Sequence, residues 1–429
     1  MSPTDPDVDF EQGLGLRLLR NMTMQSGTQA VAIVLGLITP YVLIRHLDLE
    51  SFGGFIYLFS FIYLFLALND LGTGMTLVRE IAQAPARTAE FVQNMIGLRL
   101  VLSTLSMLVG GLVIALLPLP ATYRLSLRVF LLILPIQVFA TPGVILQANL
   151  QMGRASLVEL ANRLTGFALM MLSVFSGHGL LFVTISLVCG EIVGASLICA
   201  MTYRVVRPRP RFDFAVWSRV VRLSLPLSGN SVLIALLNRF DSLMLQALGN
   251  LSQVAYYGLA YRLPNLMERV PMLAMATLFP VMSKLAVRDP VALRRLYRRM
   301  LGGLALLVIP MLAFVMTFAS LIVRVWFGPE AAPVAPLLRV VILATALVYL
   351  GISGGNLLVA LSQPKWNLYI VAAATTVNLA LNFLWIPRFG AMGAAWATVV
   401  GYGVMSTGAL VLAELALARA IRHHAAEAS

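Results

Sequence analysis

Four arginines and four carboxylates stand inside long apolar runs of this 429-residue chain: Arg99, Arg239, Arg262 and Arg269, with Asp70, Glu191, Asp241 and Glu268. Should those runs cross a membrane, each charge costs about 2.5–3.5 kcal/mol at mid-bilayer and needs a physical reason to be there. Arg262, Asn265 and Arg269 follow at i, i+3 and i+7, so one helix face carries two guanidiniums and an amide. Guanidinium forks match phosphate oxygens, and a wet cavity lined this way binds a phosphorylated ligand. Arg239 is a candidate third phosphate ligand. The competing reading is a set of interhelical salt bridges using Asp241 and Glu268. Arg239 and Asp241 lie about 9–12 Å below the end of their run, and Arg262 lies at a similar depth in the next. An Asp241–Arg262 pair is therefore expected. Arg239 and Asp241 are two residues apart and point to different sides of their helix.

Uncharged polar side chains form milder stripes. Thr375, Asn378 and Asn382 share one face of a run, and Gln25, Gln29, Gly36 and Thr39 fall in another. Amides and hydroxyls suit sugars, so Asn378 and Asn382 are candidate substrate contacts; they are also ordinary glue between membrane helices. Glu191, near the middle of its run, is the candidate protonatable coupling residue, because burial disfavours a charged carboxylate. A neutral glutamic acid hydrogen-bonded between helices is the alternative. Asp70 and Arg99 lie near one end of their runs and join Asp241 as candidates for coupling or ion pairing. Glu159 and Arg163, at i and i+4, read as a local ion pair. The four histidines (His46, His178, His423, His424) avoid mid-run positions and suggest no metal site. Cys189 and Cys199, ten residues apart in one run, read as small buried hydrophobes. No metalloprotease HExxH, phosphate-binding loop or Gly-x-Ser-x-Gly elbow stands in the context its chemistry demands, so neither an enzyme nor a bound cofactor is expected.

The elements that must position these groups follow from composition. Apolar residues make up 59% of the chain and charged residues 11%, against about 25% charged in a soluble domain. Twelve runs are long enough to span a bilayer: 22–44, 53–74, 92–117, 127–149, 157–176, 179–203, 221–247, 253–283, 301–326, 334–361, 366–386 and 392–418. The fold expected is an all-α polytopic membrane protein of twelve transmembrane helices. The net charge of +13 would suggest nucleic acid in a soluble protein, but here the cations fall in short loops. With both termini in the cytoplasm, twenty-one of the 31 Lys and Arg lie on cytoplasmic segments or span ends and six on the outer side. Residues 1–12, acidic and without an apolar core, read as a disordered cytoplasmic tail rather than a signal peptide. Asp289-Pro290 opens a segment with Leu293, Leu296 and Met300 at helical spacing and arginines opposite. A short interfacial helix on anionic lipid and a plain topogenic loop both fit it. Pro40, Pro226, Pro264 and Pro271 mark expected kinks.

The chain divides at the Arg/Pro-rich stretch near 204–220, giving a six-helix lobe over 1–203, a cytoplasmic linker over 204–220 and a second six-helix lobe over 221–429. The segments 46–57 and 248–258 echo each other, each turning after a span and re-entering through aromatic and small residues. Six spans per half make parallel repeats about a pseudo-two-fold along the membrane normal, an arrangement with a cavity between lobes.

Several short segments, in order over about 350 residues, carry a resemblance. They are Arg45–Phe55 (with Asp48 where a glycine is usual), Asp70-Leu-Gly with Arg79-Glu-Ile-Ala, Asn238-Arg-Phe-Asp241, Tyr256–Arg262 and Phe279-Pro-Val-Met-Ser283. Phe327-Gly328 and Asn378…Asn382…Ile386-Pro…Gly390…Gly393-Ala-Ala complete the set. Together they resemble the Wzx-type flippases of the multidrug/oligosaccharidyl-lipid/polysaccharide exporter superfamily. The resemblance implies a lipid-pyrophosphate-linked oligosaccharide moved from the inner to the outer leaflet of a bacterial inner membrane, by alternating access of a central cavity. It also implies polysaccharide polymerase and chain-length-regulating partners. Alternatives kept open are a cation-coupled multidrug exporter of the same superfamily and a lipid II flippase. Twelve spans argue against the latter, whose members usually have fourteen. An anionic headgroup wants arginines in the cavity and a cation wants carboxylates and aromatics; the arginine face of span eight favours the headgroup.

Overall fold

The computed structural model describes the backbone of residues 6–427 and the side chains of residues 21, 23–224 and 229–424. Among the described residues every regular element is helical. Twelve stretches are long and apolar enough to cross a membrane, from Thr23–His46 to Ala391–His424. Each overlaps one run read from hydropathy, though the second extends to Gln83 and the fourth covers Ala121–Val138 against the expected 127–149. The chain is a multi-pass, all-helical membrane protein. The expectation for residues 1–5 lies outside the described residues. Residues 6–12, expected as a disordered tail, are instead the first turns of α1 (Pro6–His46). Pro6 followed by Asp7, Asp9 and Glu11 is a composition that a helix start favours. Pro40 stands inside α1; Pro226 lies outside the described side chains.

Clustering of contacts divides the chain into two compact units. One holds residues up to Ser51 with Ile62–Val232; the other holds Phe52–Phe61 with the chain from Leu233 onward. In the first unit, α2 (Leu49–Asp70) and α3 (Thr73–Gln83) make up span two. Leu71 and Gly72 between them are left-handed, with φ of 42° and 62°. A hinge of this kind leaves carbonyls unsatisfied, and the Thr73 hydroxyl donates to the Asp70 carbonyl at 2.6 Å. Next come α4 (Thr88–Leu116), α5 (Ala121–Leu131), α6 (Ile133–Val138), α7 (Val144–Ala148), α8 (Met152–Phe175) and α9 (Leu180–Thr202). On α4, Leu105, Leu108, Leu112 and Leu116 are exposed and form an apolar stripe, which a hydrocarbon surrounding permits. The stretch 204–220 is folded onto α4. Arg211 N–H donates to the Gln93 carbonyl at 3.0 Å, and Trp217 Nε1 donates to the Asn94 carbonyl at 2.9 Å. Val206 and Trp217 share a core with Phe91 and Met95.

Helix α10 (Phe214–Leu248) passes from the first unit into the second. There follow α11 (Leu251–Ala260), α12 (Arg262–Met267), α13 (Arg269–Arg288), α14 (Pro290–Phe327), α15 (Val334–Ala360), α16 (Pro364–Phe389) and α17 (Ala391–Glu427). The interfacial segment 289–300 is not separate: its turns run unbroken into span nine as α14. Asp289 caps that helix, accepting from Ala292 N–H at 2.8 Å, with Pro290 at the first position. Small residues let α15 and α17 approach closely; a Cβ added to Gly351 would collide with the Ser406 hydroxyl and meet its Cα at 2.8 Å. The echoing segments 46–57 and 248–258 share a cap. Asp48 accepts from Ser51 N–H at 2.6 Å, and Asn250 accepts from Gln253 N–H at 3.0 Å.

Candidate functional site

A buried polar cluster of the second unit surrounds Asp241 on α10, 2% exposed. A buried carboxylate needs donors, and three side chains from three other helices supply them. Tyr257 (α11) donates its hydroxyl to Oδ2 at 2.5 Å, Thr398 (α17) donates to the same oxygen at 2.9 Å, and Asn382 (α16) donates Nδ2 to Oδ1 at 2.5 Å. The Asn382 amide also reaches the Asn378 Oδ1 at 3.1 Å. Both asparagines are fully buried. The expected stripe on span eleven therefore faces this carboxylate, and Thr375 donates to the Leu233 carbonyl at 3.3 Å. The Asn382 Oδ1 and the Asn378 Nδ2 are buried without a hydrogen-bond partner. Turning the Asn382 amide over would bring its oxygen beside the Oδ1 atoms of Asp241 and Asn378. Oxygens grouped in this way are the type of donor that a proton or a small hard cation takes. Among the described residues, no group of three or more His, Cys, Asp or Glu could hold a metal ion.

The expected Asp241–Arg262 ion pair is not formed. Depth placed the two together, but rotation about the helix axes turns the carboxylate toward Tyr257, Thr398 and Asn382. Arg262 instead lies over the Phe52 ring, 6.0 Å from its centroid, and its Nε is buried without a hydrogen-bond partner. Arg239, on α10, is half-buried.

Span eight is broken twice, at Tyr261 and at Glu268. Pro264 and Pro271 explain both breaks, because each removes the N–H that would bond the carbonyl four residues earlier, Ala260 and Met267. The Met267 carbonyl is recovered by the Tyr349 hydroxyl at 2.6 Å. Glu268, at the second break, accepts from the Thr345 hydroxyl at 3.2 Å. The expected stripe of Arg262, Asn265 and Arg269 is thus split between α12 and α13. Arg262 is half-buried, and Asn265 and Arg269 are exposed.

In the first unit, Asp70 and Arg99 form an ion pair beside the Leu71-Gly72 hinge. Arg99 also donates to the Thr73 hydroxyl at 3.2 Å and the Thr141 hydroxyl at 3.3 Å. The pair lines a cavity of about 70 Å³ with Asn69, Leu66, Leu134 and Gln137. Glu191 is half-buried at the middle of α9. Among the described residues it has neither hydrogen bond nor ion pair. Glu159 and Arg163 do form their pair, at 2.6 Å and about half exposed. Tyr257, Thr398 and Tyr349 were not singled out by sequence. A lone hydroxyl in an apolar run looks like any other helix contact, and only the Tyr256–Arg262 motif pointed near the first of them.

A family model described as "Polysaccharide biosynthesis protein" matches residues 18–286. A curated relative, an uncharacterized membrane protein of Methanocaldococcus jannaschii, is 24% identical over 246 residues, which cover 56% of this chain and 48% of the relative. The chain thus spans about half the length of that relative. Among solved structures, an inward-facing multidrug resistance MATE family transporter of the MOP superfamily shares the fold with a TM-score of 0.77 at 17% identity, over 91% of this chain and 96% of that one. The lipid II flippase MurJ in an inward closed conformation gives 0.76 at 15% identity, over 93% and 90%. A MOP superfamily transporter from Pyrococcus furiosus gives 0.64 at 16%, over 94% and 95%. At these identities the likeness is one of fold.

Proposed function

The chain belongs to the polysaccharide biosynthesis protein family, and on that premise we propose that it is a flippase for a lipid-pyrophosphate-linked oligosaccharide. The proposed direction is from the cytoplasmic to the periplasmic leaflet of a bacterial inner membrane, with both termini in the cytoplasm and alternating access between two six-helix lobes. The observation that carries the reading is the state of Arg262. It sits within a span, packed on an aromatic ring, while the nearest expected carboxylate is engaged by neutral donors. A guanidinium left without an acid inside a membrane is prepared for an anionic ligand, and a pyrophosphate offers matching oxygens. Arg239 and Arg269, with Asn265, extend the basic surface toward the headgroup. Asn382 donates to Asp241 and Asn378 accepts from Asn382, and both amides stay candidates for contact with the sugar.

The proposed cycle has two chemistries. The arginines replace the water that the pyrophosphate loses on leaving the aqueous phase. Asp241 couples that event to a proton or a small cation, which its oxygen cluster can accept when the substrate leaves. Glu191, and Asp70 with Arg99, stand as secondary candidates for that coupling. An inside-negative potential itself favours outward movement of an anionic headgroup by about 2.3 kcal/mol per charge per 100 mV. Polysaccharide polymerase and chain-length-regulating proteins would act on the flipped product.

The test is the leaflet distribution of lipid-linked glycan, measured by mass spectrometry on sealed vesicles from cells with and without the protein. Accumulation on the cytoplasmic leaflet without it supports the reading and identifies the glycan. An unchanged lipid pool with altered sensitivity to cationic compounds overturns it in favour of a multidrug exporter.

A further inference from the structure

The first turns of α14 place four arginines, Arg294, Arg295, Arg298 and Arg299, on one side of the helix, all exposed. The opposite side is the buried stripe Leu293, Tyr297, Met300 and Leu304. The helix is continuous for 38 residues, about 57 Å at 1.5 Å per residue and far more than the ~30 Å of hydrocarbon. Its N-terminal turns therefore project beyond the apolar layer. Arg298 leans toward Glu414 on α17 at 3.9 Å, and Asp289 is occupied as the helix cap. Among the described residues, Arg294, Arg295 and Arg299 have no ion pair or side-chain hydrogen bond. The end of α13 adds Lys284 and Arg288 to the same end of the unit, both exposed.

A second, independent feature lies directly beneath. Gly302 is about 6 Å further along the axis than Arg298 and within about 80° of all four arginines around it. A Cβ placed there would meet nothing within 4 Å, and the same holds at Gly303. Below the glycines the same side continues as Leu306 and Ile309, exposed by 70% and 67%. Charged forks, a notch without side chains and an apolar track thus follow one another along one helix side. That is the order of phosphate, glycerol and acyl chain in a phospholipid.

We propose that this side of α14 is a binding site for an anionic phospholipid of the bilayer, one carrying two phosphodiesters on a single headgroup. Four forks spread over about 7.5 Å of helix engage two phosphates more fully than one. A merely topogenic cluster needs charge alone, whereas a phosphodiester site needs the bidentate geometry of arginine. The site stands apart from the transport chemistry proposed above and does not depend on it.

The distinguishing variant replaces all four arginines by lysine, R294K/R295K/R298K/R299K, which keeps the charge that sets topology. The purified full chain is placed in nanodiscs of phosphatidylcholine with diphosphatidylglycerol, and retained lipid is counted by native mass spectrometry. The lysine variant should retain at least about fivefold less diphosphatidylglycerol than the wild type. Gly302→Leu, which fills the notch in open space, should lower retention about twofold with every arginine in place. Equal retention by the lysine variant and the wild type overturns the proposal. So does displacement of the lipid by millimolar inorganic pyrophosphate, which would mark a site for a soluble anion. A melting temperature and a gel-filtration profile matching the wild type show that a loss reflects binding and not unfolding.

Discussion

Asp70 and Asp241 are both carboxylates carried on spanning helices, yet the two units treat them differently. Asp70 has a charged partner, Arg99, and the pair is closed by hydroxyls from Thr73 and Thr141. Asp241 has only neutral donors, and the arginine expected beside it lies over a phenyl ring. An ion pair neutralises itself and fixes two helices. A carboxylate held by hydroxyls and amides can exchange a proton or cation without breaking a salt bridge. That contrast is why the second unit's cluster is proposed as the primary site of exchange and the first unit's pair as a secondary one.

The sharpest way to break that contrast is to remove each charge with little change of shape. Asp241→Asn should reduce glycan export to that of cells lacking the protein while the level in the membrane is unchanged, as read by leaflet-resolved mass spectrometry beside an immunoblot. Export at the wild-type rate would remove Asp241 from the coupling role. Arg262→Gln comes next. Losing one charge-assisted contact of about 1.5–3 kcal/mol weakens pyrophosphate binding roughly ten- to a hundredfold. Titration of the purified protein with a pyrophosphate-linked prenyl analogue should read that loss; unaltered affinity would leave Arg262 a packing residue.

Much of the second unit's logic was hidden in the sequence for geometric reasons. Span positions were legible because length and hydropathy decide them, and the twelve stretches fall where the apolar runs lie. Depth along a helix was legible from residue counts, which is why Asp241 and Arg262 looked like partners. Rotation about the axis was not, because it depends on the neighbours each helix packs against. Pro264 and Pro271 signal kinks in the sequence, but their effect of splitting the arginine stripe follows from three-dimensional breaks at Tyr261 and Glu268. Segment 289–300 carried a helix start signal without showing that the helix continues into the next span. The matching caps at Asp48 and Asn250 were foreshadowed by the echo of 46–57 in 248–258, since an Asx side chain before a helix has one dominant use.

The first unit's side of the contrast is tested through stability. Asp70→Asn leaves the Arg99 guanidinium without its anion and should lower stability by about 1–3 kcal/mol. This is read as a drop in melting temperature in detergent. Adding Arg99→Gln should recover most of that loss, because the double variant no longer holds an uncompensated charge. If the single and double variants are equally destabilised, the partner charge is irrelevant and the pair is no structural lock. The corresponding Asp241→Asn change should leave the melting temperature nearly unaltered, since an amide can still engage the Tyr257 and Thr398 hydroxyls.

The smallest expected effect concerns how each unit supports its broken span. In the first unit the hinge at Leu71-Gly72 is served locally, by the Thr73 hydroxyl on the Asp70 carbonyl. In the second, the carbonyl that Pro271 orphans at Met267 depends on Tyr349 from α15. Tyr349→Phe removes that donor and leaves the carbonyl unpaired, a loss of about 1 kcal/mol. Pro271→Ala restores a backbone N–H to the same carbonyl if the helix closes up, making the hydroxyl redundant. Tyr349→Phe should therefore be nearly neutral in a Pro271→Ala background, a coupling that a double-mutant cycle on melting free energies reads directly. A cost for Tyr349→Phe that is the same in both backgrounds would mean that the tyrosine packs α15 against span eight without serving the break. The two units would then differ in their carboxylates alone.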